Sequence, residues 1–147
     1  MTPQELQDLL NQEIPITKSM GLDVIKSTSD EVILKFKLDA NKNHKGTAFG
    51  GSQYSACALS CYGLFLVGLR DRGYTTNNIV ISDGKISYNA PVGENFLAKA
   101  SWSLESQTEF FDKLSRKQKA KVTLRAQVES KSKVCTEFEG DFVAILE

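Results

Sequence analysis

Two adjacent glycines, Gly50 and Gly51, stand near the start of a run from Thr47 to Leu69 that contains no charged residue. If that run is helical, its first backbone amides have no partner inside the helix and carry the positive end of its dipole. Amides placed this way stabilise the oxyanion that forms when a carbonyl is attacked. A glycine there lets the reacting group come close, because no Cβ intervenes. The same pair would also serve simply as a tight turn into the helix. Upstream lies Asn43, able to orient water or bond a carbonyl, and equally a common turn former. Its neighbour His44 is the chain's only histidine, either a base near neutral pH or a solvated surface imidazole.

Inside the run, Ser55, Cys57 and Ser60 offer hydroxyls and a thiol, although such residues in an uncharged helix also act as plain packing. A further candidate is Asp83, within Ile79-Val80-Ile81-Ser82-Asp83-Gly84-Lys85-Ile86. A carboxylate in an apolar strand is costly to bury without a partner or a purpose. Strict alternation puts Asp83 on the face of Ile79 and Ile81, opposite Ile86 and Tyr88, and a bulge at Gly84 would unite them. An ion pair with a lysine at a sheet edge is the alternative. Cys57, Cys61 and Cys135, with one histidine and no C-x-x-C pair, read as reduced apolar fillers. Neither a metal nor a cofactor is expected.

These groups need a scaffold, and 147 residues with 41% hydrophobic and 24% charged side chains suit a single domain over residues 1–147. Basic and acidic residues both total 18, so no summed field draws in nucleic acid or an anionic membrane. The first residues lack a basic segment followed by an apolar one, so no secretory signal is expected and the cytoplasm is the expected location. The uncharged run nearly has the length of a bilayer span, but Ser52, Gln53, Ser55, Ser60 and several glycines make it too polar for one.

Thr2, Pro3 and Glu5 predict a capped helix that carries Leu6, Leu9 and Leu10 until Pro15 stops it. Leu22 to Ile25 and Val32 to Leu38 predict a hairpin, followed by a polar stretch from Asp39 to Gly46 and then the long helix. Asn78 to Ala90, Phe96 to Glu105, Lys121 to Glu129 and Val134 to Leu146 alternate as strands. Between them, Ser106 to Ala120 predicts a longer loop or a helical turn whose Phe110, Phe111 and Leu114 need cover. A helix apolar on most sides is buried by curling the sheet around it, so the expected class is α+β with the hotdog architecture.

Asn43-His44-Lys45-Gly46-Thr47-Ala48-Phe49-Gly50-Gly51-Ser52 resembles the loop-to-helix signature of hotdog thioesterases, where an asparagine and a Gly-Gly pair precede the central helix. The stretch ending Ile86-x-Tyr88-x-x-Pro91-Val92 and the uncharged helix fit the YiiD C-terminal thioesterase type. The resemblance runs from Ile14 to the C-terminus. In some bacterial proteins that domain follows an acetyltransferase domain, of which this sequence holds nothing.

The resemblance implies an acyl-CoA or acyl-carrier-protein thioesterase that works as a homodimer, or as a tetramer of paired dimers, with its site at the subunit boundary. It implies that Gly51 polarises the thioester carbonyl, that Asn43 places water or substrate, and that Asp83 or Ser55 assists as base. His44, Phe49, Gly50, Ser52 and Tyr88 are the implied substrate contacts. Better-known relatives carry an acidic or hydroxyl residue about two turns into the helix, a place that falls on Ala58 here. Alanine cannot activate water, which keeps open a non-catalytic acyl-CoA-binding module. A dehydratase would need a histidine and a carboxylate facing one tunnel, and His44 lies in the wrong segment. Lys113, Arg116, Lys117, Lys119 and Lys121 would either meet the phosphates of coenzyme A or form a solvated loop.

Overall fold

The computed structural model describes residues 1–146. Helix α1 (Pro3–Glu13) begins at the expected capping box, in which the Thr2 hydroxyl accepts from the Glu5 amide at 3.1 Å and the Glu5 carboxylate accepts from the Thr2 amide. A single-turn helix, α2 (Ile16–Ser19), follows Pro15 and leads into the hairpin β1 (Asp23–Ser27) and β2 (Glu31–Phe36). The polar stretch after it starts with another turn of helix, α3 (Leu38–Asn41). The uncharged run then becomes α4 (Gly50–Asp71), 22 residues long.

Strands β3 (Ile79–Tyr88), β4 (Phe96–Ser101), β5 (Lys119–Ser130) and β6 (Lys133–Ile145) complete a six-stranded antiparallel sheet in the order β1-β2-β4-β5-β6-β3. Its inner face alternates in toward α4: Val32, Leu34 and Phe36 from β2, Phe96, Ala98 and Ala100 from β4, Leu124, Ala126 and Val128 from β5, all buried. Small side chains at 98, 100, 126 and 144 let the helix approach the strands, while Phe36, Phe65, Phe96 and Phe142 fill the space around them. Each such phenylalanine contributes about 1.5–3 kcal/mol of apolar burial. The sheet wraps a long helix, which is the expected hotdog arrangement. No helix among the described residues is long and apolar enough to cross a membrane.

One element differs from expectation. Residues read above as a longer loop or a helical turn, together with the end of the expected strand, form a full helix, α5 (Leu104–Lys117), with Ser103 capping the Ser106 amide at 3.0 Å. Its buried residues, Gln107, Phe110, Phe111 and Leu114, follow helical spacing, so β4 stops at Ser101. Phe110 and Phe111 meet Phe65 and Trp102 over the later turns of α4, so α5 closes that end of the core.

Gly140 on β6 is one glycine the packing requires. A Cβ there would lie 2.8 Å from the Phe142 ring and 2.9 Å from the Phe138 ring, both buried. Gly140→Ala is therefore expected to cost about 1–3 kcal/mol by overpacking, read as a lowered urea midpoint. An unchanged midpoint would contradict this packing.

Candidate active site

The first turn of α4 is held from two sides. Ahead of it, the Ala48 amide donates to Val92 at 2.8 Å and the Phe49 amide to the Asn41 carbonyl at 2.7 Å. The buried side chain of Asn41 donates in turn to the carbonyls of Met20 and Lys37. From within the helix, the buried Gln53 amide donates to the Ala48 carbonyl at 3.1 Å and accepts from the Thr136 hydroxyl on β6. The residues before the helix therefore have little freedom, and the direction in which its first amides point is set.

Those amides have no side-chain cap. Phe49 occupies the N-cap position with extended backbone and cannot supply an acceptor side chain, and among the described residues no other side chain caps them. Helix geometry leaves the amides of Gly50, Gly51 and Ser52 without partners in the helix. Gly51 is exposed, and Gly50 and Ser52 are half-buried. The Phe49 ring, itself exposed, lies against the Cα of Gly51 where a side chain would otherwise stand. The Tyr88 hydroxyl sits beside Gly50 and donates to its carbonyl at 2.8 Å.

Only one face of α4 stays open. Gly51, Ser55, Ala58 and Tyr62 follow helical spacing along it and are exposed or half-buried, whereas residues from Gly63 to Leu69 are all sunk. Ser55 thus shares a face with Gly51, one turn along. Ala58 also lies on this open face, so the place where the resemblance implies an acidic or hydroxyl residue is occupied by a methyl group. The Tyr54 hydroxyl reaches under β3 to the space a Gly84 side chain would take.

Asn43 and His44 belong to the turn ahead of the helix. The Asn43 carboxamide oxygen accepts from the Lys45 and Thr47 amides at 2.9 and 3.2 Å, and its nitrogen donates to the Thr47 hydroxyl. Its side chain thus braces the turn ahead of the helix. His44 is exposed on that turn.

Asp83 lies elsewhere. The bulge in β3 falls between Ile81 and Asp83, not at Gly84, so Ile79 and Ile81 pair with Ala144 and Phe142 on the inner side, while Asp83 pairs with Asp141. Asp141 accepts from the exposed Thr123 hydroxyl at 2.6 Å, which marks that face as the outer one. Within one chain the structure therefore separates Asp83 from Gly51 by the thickness of the sheet. The cationic run is divided between the last turns of α5 and the start of β5, at the far end of the core from Gly51. Tyr54, Gln53, Thr136 and Asn41 were not singled out in the sequence. The usable signal was Gln53, an amide on the face of the helix turned to the sheet.

A sheet curled around a long helix whose glycine-started first turn is uncapped is the hotdog fold with free amide donors at its helix start. The sequence matches the family described as "Putative thioesterase (yiiD_Cterm)" over residues 3–146, and the chain belongs to that family, a thioester hydrolase by class. It superimposes with TM-score 0.90 on a Chlorobaculum tepidum protein of unknown function, 29% identical, covering 99% of this chain and 98% of that one. A Shewanella oneidensis protein described as a putative thioesterase gives TM-score 0.87 at 27% identity, with 97% and 96% covered. A Pseudomonas aeruginosa probable thioesterase, 16% identical, shares the fold at TM-score 0.84, with 100% and 97% covered.

Two thiols, Cys57 and Cys61, lie buried within α4. Burial pushes the Cys57 thiol up to about 12 from 9.0, and burial with Cys57 as neighbour raises Cys61 well above its usual range. A protonated thiol is a poor nucleophile. The unfolded chain releases the Cys57 proton above about pH 9 while the folded chain retains it, so this group's contribution to stability is complete below that pH and is lost as pH rises toward 12. The native protein is expected to resist an aromatic disulfide reagent at mildly alkaline pH and to react only after denaturation. Rapid native reaction at Cys57 would contradict the buried, neutral thiol.

Proposed function

We propose that the chain hydrolyses acyl thioesters of coenzyme A or of an acyl-carrier protein, as a homodimer. The observation that carries this reading is the uncapped first turn of the buried helix α4. A thioester carbonyl seated there accepts from the Gly51 amide, with Gly50 and Ser52 beside it, and those donors meet the negative charge that grows as water attacks. Ser55, one turn along the open face, is the hydroxyl nearest in the pattern to hold that water. Phe49, exposed beside Gly51, offers an aromatic wall to the substrate. With Ala58 supplying no carboxylate, polarisation of the carbonyl does most of the work.

The free edge of the sheet supports the dimer. β3 has a partner on one side only, and Val80, Ile81 and Tyr88 on it are exposed apolar residues. Antiparallel pairing with a second β3 about a two-fold axis at Gly84 sets Asp83 of each strand opposite Lys85 of the other. That relieves the like-charge pair of Asp83 with Asp141. Asp83 thus serves the subunit contact in this reading, and does not act as a base. Lys85→Asp is expected to yield monomers in sedimentation, and Asp83→Lys with Lys85→Asp to restore the dimer; a dimer indifferent to both would rule out this register.

Thiol release from a panel of acyl-CoA and acyl-carrier-protein thioesters tests the activity. Gly51→Pro keeps a first-turn helical backbone but removes the donor amide, and is expected to lower kcat by about 10²–10³-fold. Gly51→Ala keeps the amide and displaces the exposed Phe49 ring, so its effect should fall mainly on KM. Tight acyl-CoA binding without turnover by the unaltered protein would favour the binding module that Ala58 suggests.

A further inference from the structure

Tyr88 was expected to touch substrate, yet its hydroxyl is engaged elsewhere. It donates at 2.8 Å to the carbonyl oxygen of Gly50. That oxygen and the Gly51 N–H belong to one peptide unit, and no peptide bond among the described residues is cis. In a trans peptide the two groups lie in one plane and point in opposite directions. A hydrogen bond received by the carbonyl draws charge through the unit and makes its N–H a stronger donor. The contact is built into the fold. Tyr88 closes β3 opposite Thr136, whose hydroxyl holds Gln53, so neighbouring residues of two paired strands grip the same helical turn. Any side chain at position 50 would press on the phenol, since a Cβ there would lie 3.3 Å from its oxygen.

We propose that Tyr88 is a positioning residue for thioester hydrolysis, which fixes and polarises the Gly50–Gly51 peptide from its carbonyl side and so strengthens the Gly51 amide as oxyanion donor. This rests on the hydrolytic reading above, and deepens it by placing a side chain behind the donor where that reading has only backbone. Burial, with Cys57 and Tyr54 nearby, raises the phenol's pKa, which keeps its proton available for the bond.

Tyr88→Phe removes only the hydroxyl and keeps the ring, so ring-current effects on neighbours stay nearly constant. In a ¹⁵N-labelled dimer without ligand, the Gly51 amide nitrogen is expected to move upfield in the variant, with the rest of the dispersed spectrum in place. Kinetically, kcat should fall by about 2- to 10-fold, the effect of one neutral hydrogen bond, with KM unchanged. An unmoved Gly51 resonance overturns the proposal, and so does a change confined to KM, which would mean that the phenol contacts substrate. If the unaltered protein releases no thiol, the hydrolytic reading fails on its own, while the Gly51 resonance still decides whether Tyr88 polarises the peptide.

Discussion

A helix buried along most of its length presents its first amides to whatever lies beyond its start, and among the described residues no side chain caps them. Capping side chains ordinarily satisfy such groups, as Thr2 and Ser103 do for α1 and α5. At α4 the cap position holds Phe49, whose ring can accept no hydrogen bond of that kind. The unsatisfied donors are therefore retained where the dipole of a 22-residue helix concentrates positive potential, and the space a side chain would take at 50 and 51 is filled by the Tyr88 phenol and the exposed Phe49 ring. The proposed chemistry rests on this local departure from ordinary helix termination.

Most of the surrounding architecture serves to hold that departure in place. The turn built by Asn43, the buried Asn41 and the Gln53–Thr136 pair all restrain the residues on either side of Gly50. The interior supports it from below, because small residues on the central strands let α4 lie close to the sheet and α5 seals the far end. Donors that must act on a developing charge gain from being fixed beforehand, since no reorganisation is then needed at the moment of reaction.

Much of this was legible in the chain. The capping box of α1, the alternation in β2 and the absence of charge in α4 are local signals, and each describes an element that formed. The α5 helix was missed because its Ser103 start and the Gln107, Phe110, Phe111, Leu114 stripe lie in a highly charged stretch, where apolar spacing is easily outweighed. The face of Asp83 was not legible either. Two bulge positions two residues apart give opposite outcomes for Asp83, and the actual one, at Ser82, is set by pairing with β6 rather than by the glycine. Of the site, Gly50 and Gly51 could be found from composition and resemblance. Gln53 offered a signal as an amide on the sheet-facing side of the helix, but Thr136 and the bond from Tyr88 did not, because they join segments far apart in sequence.

The central claim is that free amides at the start of α4 polarise a bound thioester carbonyl. Isotope-edited infrared spectroscopy of an acyl thioester labelled with ¹³C at the carbonyl, bound to the intact protein, observes that bond directly. The account expects the carbonyl stretch to shift to lower frequency than in water. A stretch at or above its value in water would mean that the carbonyl meets no such donors, and would contradict the account.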